Sequence, residues 1–186
     1  MPNTHSTLTG LFTDIADAIR EKDGTSTRKI ADAFPAAIRA IPSGGDTSVE
    51  DGIIEKTISG AYTNARVSTI GAYAFQGCYS LTAVSFPACT TANNYAFNNC
   101  TALTTAFFPA CTTPNNYMFL NCTALTTASF PVCTSIGIAM FSNCKSLTAA
   151  SFPACTKIGN YAFEGCAALA TISFPVCTSI ESYAFR

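Results

Sequence analysis

Charged side chains are scarce in this sequence, at 11% of 186 residues, where soluble globular domains carry about 25%. The deficit excludes several functions at once. Ten basic residues against eleven acidic ones give a net charge of −1, so no basic excess exists to neutralise phosphates, and nucleic acid is not expected as a partner. Histidine is nearly missing, His5 being the only one. That removes the cysteine–histidine clusters that hold metals, and it leaves every cysteine without a nearby base to activate it as a nucleophile. Beyond Glu55 the only acidic side chains are Glu164 and Glu181, too few for paired acid–base chemistry, and no glycine-rich phosphate loop occurs. The sequence therefore predicts no enzyme, no metal and no cofactor. Long apolar runs are lacking too. Hydrophobic residues make up 48% of the chain and mean hydropathy is +0.28, but no stretch approaches the ~18 consecutive apolar residues that suggest a membrane span. A soluble protein without membrane insertion is expected. Met1–Gly10 contains neither a cationic segment nor an apolar one, so no secretory signal is predicted.

What the chain does have is a 22-residue period. Phe75, Phe97, Phe119, Phe141, Phe163 and Phe185 fall on it, as do Leu81, Leu103, Leu125, Leu147 and Leu169. Phe86, Phe108, Phe130, Phe152 and Phe174 form another column, each followed by proline, Pro87 to Pro175. The ten cysteines divide between two columns: Cys78, Cys100, Cys122, Cys144 and Cys166, and Cys89, Cys111, Cys133, Cys155 and Cys177. A 22-residue unit cannot bury its own apolar face, whereas stacked copies make one continuous core. Val84 and Phe86 alternate with Ala83 and Ser85, the period of a half-buried strand, and the following proline stops the strand in every unit. The expected fold is a β-rich solenoid of 22-residue repeats with a parallel strand ladder, coils stacking at about 4.8 Å.

Leu81, Val84, Phe86 and Cys89 match the leucine-rich pattern L-x-x-L-x-L-x-x-N/C. The block IGAYAFQGCYSLTAVSFPACT (Ile70–Thr90) resembles the BspA-type leucine-rich repeat, and the resemblance covers residues 53 to 186. It implies a bacterial or protozoal surface protein, several relatives being adhesins for host proteins. Departures from the pattern are Ala92 and Pro114 where other coils have Ile, and Ala106, Ala128 and Ala150 where Val84 and Ile172 are larger. The middle coils are thus expected to be less bulky inside.

Before the repeats, apolar spacing predicts helices over Thr7–Gly24 and Asp32–Ile41, together an αα-hairpin (residues 1–41). Its sequence is similar to a segment of phage tail and prophage structural proteins. Residues 42–52 read as a Gly/Ser/Asp-rich linker, and IIEKTISG (Ile53–Gly60) as a capping strand at the head of the solenoid (53–186). The missing signal favours a cytoplasmic or virion-associated location, and the family resemblance implies the cell surface.

Candidate binding residues follow from the outward strand columns, Ala83, Thr105, Thr127, Ala149, Thr171 and Ser85, Phe107, Ser129, Ser151, Ser173. They predict a flat, uncharged surface on which Phe107 is the one large apolar side chain. The column Tyr73, Tyr95, Tyr117, Tyr161 and Tyr183, interrupted at Ala139, either packs as an intramolecular ladder or stacks sugars or a protein partner. The cysteines read as ladders of small buried thiols, the Cys89 column bonding to the turn backbone, although disulfides between neighbouring coils are sterically conceivable. The Thr90, Thr112, Thr134, Thr156 and Thr178 ladder and the sequons at Asn99 and Asn121 read as by-products of the repeat. The function expected is recognition or adhesion toward a protein or glycan, with display on a phage-like particle by the helical hairpin. The alternative is a structural virion or assembly subunit that forms homo-oligomers through its solenoid faces.

Overall fold

A computed structural model describes Ser48–Val49 and residues 58–186. These belong to the second of two units, Thr47–Arg186; the two expected helices and the phage-like segment lie outside the described residues. The repeat unit is a β-solenoid of about six turns. Each coil contributes strands to parallel ladders. One wall is built from β2 (Ser59–Thr63), β4 (Ser80–Ser85), β6 (Thr105–Phe107), β8 (Thr127–Ser129) and β10 (Ala149–Ser151), paired in that order. Register along it is one repeat per rung: Ala83 faces Thr105, which faces Thr127, which faces Ala149. The other wall uses two-residue strands: β1 (Ser48–Val49), β3 (Thr69–Ile70), β5 (Thr91–Ala92) and β7 (Thr113–Pro114), then separately β9 (Ser135–Ile136), β11 (Lys157–Ile158) and β12 (Ser179–Ile180).

Between the walls lie the two phenylalanine columns, and they explain why the period is so strict. Rings of the Phe75 column stack on one another at 4.8–5.5 Å with planes within 11°. The Phe86 column stacks likewise, at 5.1 Å for Phe108 on Phe130. Across the columns the rings meet edge to face, as Phe119 does with Phe108 and Phe130 at 6.0 and 6.1 Å. Both geometries suit the ring quadrupole, so a phenylalanine displaced by one residue would lose its stacked and its edge partners together. At the head, Tyr62 of β2 lays its ring against Phe75 and Phe86 at 5.4 and 5.6 Å. This strand overlaps the expected capping segment Ile53–Gly60 at Ser59 and Gly60; residues 53–57 lie outside the described residues. Ser48–Val49, inside the stretch read as a linker, pairs with β3; two residues suffice because such a strand needs only backbone groups.

The third side of each coil is a run of turns with two left-handed residues. One column is Gly77, Asn99, Asn121, Asn143 and Gly165, with φ of 60° to 69°, positions that suit the residues least penalised there. The other is Tyr73, Tyr95, Tyr117, Ala139, Tyr161 and Tyr183, with φ of 49° to 61°. A tyrosine in this region costs about 1–3 kcal/mol. Its offset is visible at Tyr73, whose N–H donates to Asn94 O of the next coil and whose carbonyl accepts from the Gln76 N–H.

The second wall is cut between β7 and β9. A parallel ladder is held by backbone N–H and C=O groups, and Pro114 has no N–H to give it. Elsewhere in this wall the Asn93, Asn115 and Gly159 N–H groups donate to Ile70, Ala92 and Ile136 carbonyls. At the cut Asn116 Oδ1 accepts the Ile138 N–H at 2.8 Å, as Asn94 Oδ1 accepts the Asn116 N–H at 3.1 Å one coil earlier. Gly137 permits this approach, since a Cβ there would sit 2.9 Å from that same oxygen. Pro114→Ile is expected to restore the donor and slow amide hydrogen exchange at residues 134–137 by about tenfold, one hydrogen bond being worth about 1 kcal/mol; unchanged exchange would mean the cut has another cause.

Candidate binding faces

Alternation along β6 and β8 sends Ala106 and Ala128 into the core and leaves Thr105, Phe107 and Thr127 on the outside. Phe107 is 43% exposed. It stands in register between Ser85 and Ser129, so nothing beside it is large enough to cover the ring. Ser151 and Ala149 continue the same two columns on β10. The expected last rung does not form: Thr171 and Ser173 are exposed but lie outside any strand, and the wall ends at β10. The last coil is looser in its core as well, with Leu169, Ile172 and Phe174 only partly buried. Ile180 is 59% exposed where its equivalent Ile158 is fully buried. Val132 and Val176 are exposed beside the strand face; the sequence carried that signal as valine where other coils have alanine.

The tyrosine column packs as a ladder. Tyr73 stacks on Tyr95 at 5.0 Å and Tyr95 on Tyr117 at 4.6 Å, planes within 4°, and Tyr161 stacks on Tyr183 at 5.2 Å. Both faces of Tyr95 are thus occupied by neighbouring rings, which leaves it no face for a sugar. Burial between those rings, with the charge repulsion an ionised neighbour would add, raises its phenol above the ordinary value.

The ten cysteines are all thiols, none in a disulfide. Cys100, Cys122, Cys144 and Cys166 donate to the carbonyls of Phe75, Phe97, Phe119 and Phe141, one coil back, at 3.0–3.2 Å. Cys89, Cys133, Cys155 and Cys177 donate two residues ahead, to Thr91, Ser135, Lys157 and Ser179. The first column therefore ties coils together and the second closes turns. Burial pushes Cys133 up to about 12, and holds Cys122 and Cys144 well above 9.0. Cys111 is raised first by its hydrogen bond with Cys89 and then by burial. Thiols held protonated this way are poor nucleophiles and poor metal ligands. Among the described residues no group of three or more His, Cys, Asp or Glu is placed to hold a metal, and no helix is long and apolar enough to cross a membrane.

Threonine hydroxyls are spent on the fold: Thr104, Thr126 and Thr148 each donate to the carbonyl of the equivalent threonine one coil back. Asn121 Nδ2 donates to Asn99 Oδ1, and Asn143 Nδ2 to Asn121 Oδ1, both at 3.1 Å. The amide nitrogen of the Asn121 sequon is thereby engaged inside an asparagine ladder.

Comparison with known proteins agrees with this architecture. The BspA type leucine rich repeat region matches in six copies, over residues 56–154 and 134–186. A leucine rich repeat protein of T. pallidum superposes with a TM-score of 0.63 at 25% identity, over 72% of each chain. A leucine-rich repeat protein from Eubacterium ventriosum gives 0.50 at 26% identity, over 82% of this chain and 44% of that one. No curated protein sequence matches the chain.

Proposed function

The chain belongs to the BspA-type leucine-rich repeat family, and from that premise we propose that it is a non-enzymatic recognition module whose first wall, anchored by Phe107, binds a partner protein. Leucine-rich repeat proteins of this kind mediate protein binding or adhesion. The observation that carries the reading is the exposure of Phe107 on a strand surface otherwise made of Ser, Thr and Ala, with no charge on it. A large aromatic on a rigid, uncharged platform has the composition of an interface centre, where a few such residues supply most of the binding energy. The tyrosine column on the turn side offers a glycan little, its rings being stacked on each other.

The test is a binding measurement against partners captured by the intact chain, with Phe107→Ser as the variant. An anchor of this kind carries about 2 kcal/mol or more, so affinity is expected to fall roughly thirty-fold while the melting temperature holds, the ring being outside the core. Equal binding by wild type and variant sinks the reading.

A second reading is assembly with further copies of this chain as a structural subunit, its uncharged strand face buried against them. Sedimentation separates the two: a stable trimer or larger species that Phe107→Asp dissolves favours assembly. Display on a phage-like particle through residues 1–41 is the finer part of this proposal.

A further inference from the structure

We propose that the tyrosine ladder is a site of oxidative modification, at which a one-electron oxidant of the peroxidase class joins the stacked phenols of neighbouring coils as dityrosine and ties those coils covalently. The ladder stands on the turn column, away from the Phe107 strand face, so this site is independent of the binding face.

The backbone prepares the pairs. Tyr73, Tyr95 and Tyr117 have φ of 61°, 60° and 61°, and Tyr161 and Tyr183 have 59°, so each ring leaves its coil in the same direction. The coils are tied at these residues, with the Tyr73 N–H on Asn94 O, the Tyr95 N–H on Asn116 O and the Tyr161 N–H on Ser182 O, at 3.1, 3.2 and 3.2 Å. The rings are consequently parallel copies: Tyr73 on Tyr95 at 5.0 Å, Tyr95 on Tyr117 at 4.6 Å and Tyr161 on Tyr183 at 5.2 Å, planes within 9°. In parallel copies each atom lies about one ring spacing from its equivalent, so the carbons ortho to neighbouring phenol oxygens stand about 5 Å apart. The encounter that free tyrosines make by diffusion is already made, and a turn about each Cα–Cβ bond brings the two carbons together.

An oxidant reaches these rings. Tyr73 is 45% and Tyr183 57% exposed, and Tyr95, Tyr117 and Tyr161 are part-exposed. In the reaction each phenol gives up one electron and its O–H proton. The two phenoxyl radicals join through their ortho carbons in a new C–C bond, and the hydrogens on those carbons pass to the oxygens, restoring both phenols. Hydrogen peroxide takes the two electrons and two protons as its O–O bond breaks, leaving two waters. The other tyrosines lack the geometry. Tyr62 packs in the core against Phe75 and Phe86, and the column of Tyr79 continues as Thr101, Thr123 and Lys145. Tyr117 and Tyr161 are separated by the coil of Ala139. Eight of the ten thiols, which would compete for the oxidant, are buried.

The experiment treats the full chain at micromolar concentration with a haem peroxidase and hydrogen peroxide, with N-acetyl-tyrosinamide in parallel as a check on the oxidant. Dityrosine fluorescence is expected in the monomer band of a denaturing gel, with two hydrogens lost per link and the linked peptides mapping to the ladder. Each link closes a loop of one repeat, so the urea midpoint should rise by about 1 M. Tyr95→Phe keeps the stacked ring and removes the O–H, leaving only the Tyr161–Tyr183 pair; fluorescence is expected to fall about twofold. Adding Tyr161→Phe should remove it at least tenfold, while Tyr73→Phe alone, which leaves Tyr95 beside Tyr117, should hold it near wild type. Dityrosine that survives in the doubly substituted chain, that appears only in linked dimers, or that fails to form while the tyrosinamide couples would overturn the proposal.

Discussion

Phe119→Ala is expected to lower the stability of the solenoid by about 3–5 kcal/mol and its urea midpoint by more than about 1 M. Phe119 is fully buried. It is stacked on Phe97 and Phe141 at 5.3 and 5.5 Å and meets the edges of Phe108 and Phe130, so truncation removes four ring contacts and opens a void too far inside to collapse. In a stack where stability is a sum of coil terms and neighbour interfaces, a central defect weakens two interfaces at once. Phe185, in the same column but exposed in the last coil, provides the contrast: Phe185→Ala should cost under about 1 kcal/mol. Urea unfolding followed by circular dichroism checks both. Equal losses at the two positions would mean that the phenylalanine columns do not act as coupled stacks.

Raising the pH from about 8 to about 10.5 should unfold the chain cooperatively, because the folded state keeps thiol protons that the unfolded state releases. Unfolded cysteines ionise near their ordinary value of 9.0, whereas burial holds Cys133 to about 12 and Cys166 to about 11, and Cys122 and Cys144 well above 9.0. A raised folded value means the stabilisation is complete below pH 9 and is lost as pH climbs through the folded values. For each deeply buried thiol such as Cys144 the loss approaches about 1.4 kcal/mol per pH unit. Thiolate ultraviolet absorbance should rise together with the loss of circular dichroism, and Cys144→Ala should flatten the pH dependence. Thiolates appearing while the fold is intact would show that the columns are open to solvent, contrary to their burial.

The inward positions were readable from the sequence because each recurs: a side chain that must stack on its own copy 22 residues away leaves a column of one residue type, as Phe75 to Phe163 and Cys78 to Cys166 do. What depended on a neighbour's state was not readable. Thr171 and Ser173 look like Thr127 and Ser129 in sequence, but the strand they predict needs a paired rung, and that coil lies at the loose end of the wall. The left-handed backbone of the tyrosines was hidden, since tyrosine is not a residue that signals positive φ. The adjacent column of Gly77, Asn99, Asn121, Asn143 and Gly165 did announce it, glycine and asparagine sharing a position for that reason. The proline at 114 was visible as a departure, but its effect lay in whether the ladder continued to the next coil, which it does not.

The two walls differ in continuity at two places: β6 and β8 are bonded where β7 and β9 are not, and β11 and β12 are bonded where the first wall has already ended at β10. Bending stiffness at the first of these junctions is consequently directional. The turn side still ties these two coils, through the Tyr117, Phe119 and Asn121 N–H groups on the Ile138, Met140 and Ser142 carbonyls, so any added compliance is confined to the short wall. Phe107 lies on the continuous wall at that junction.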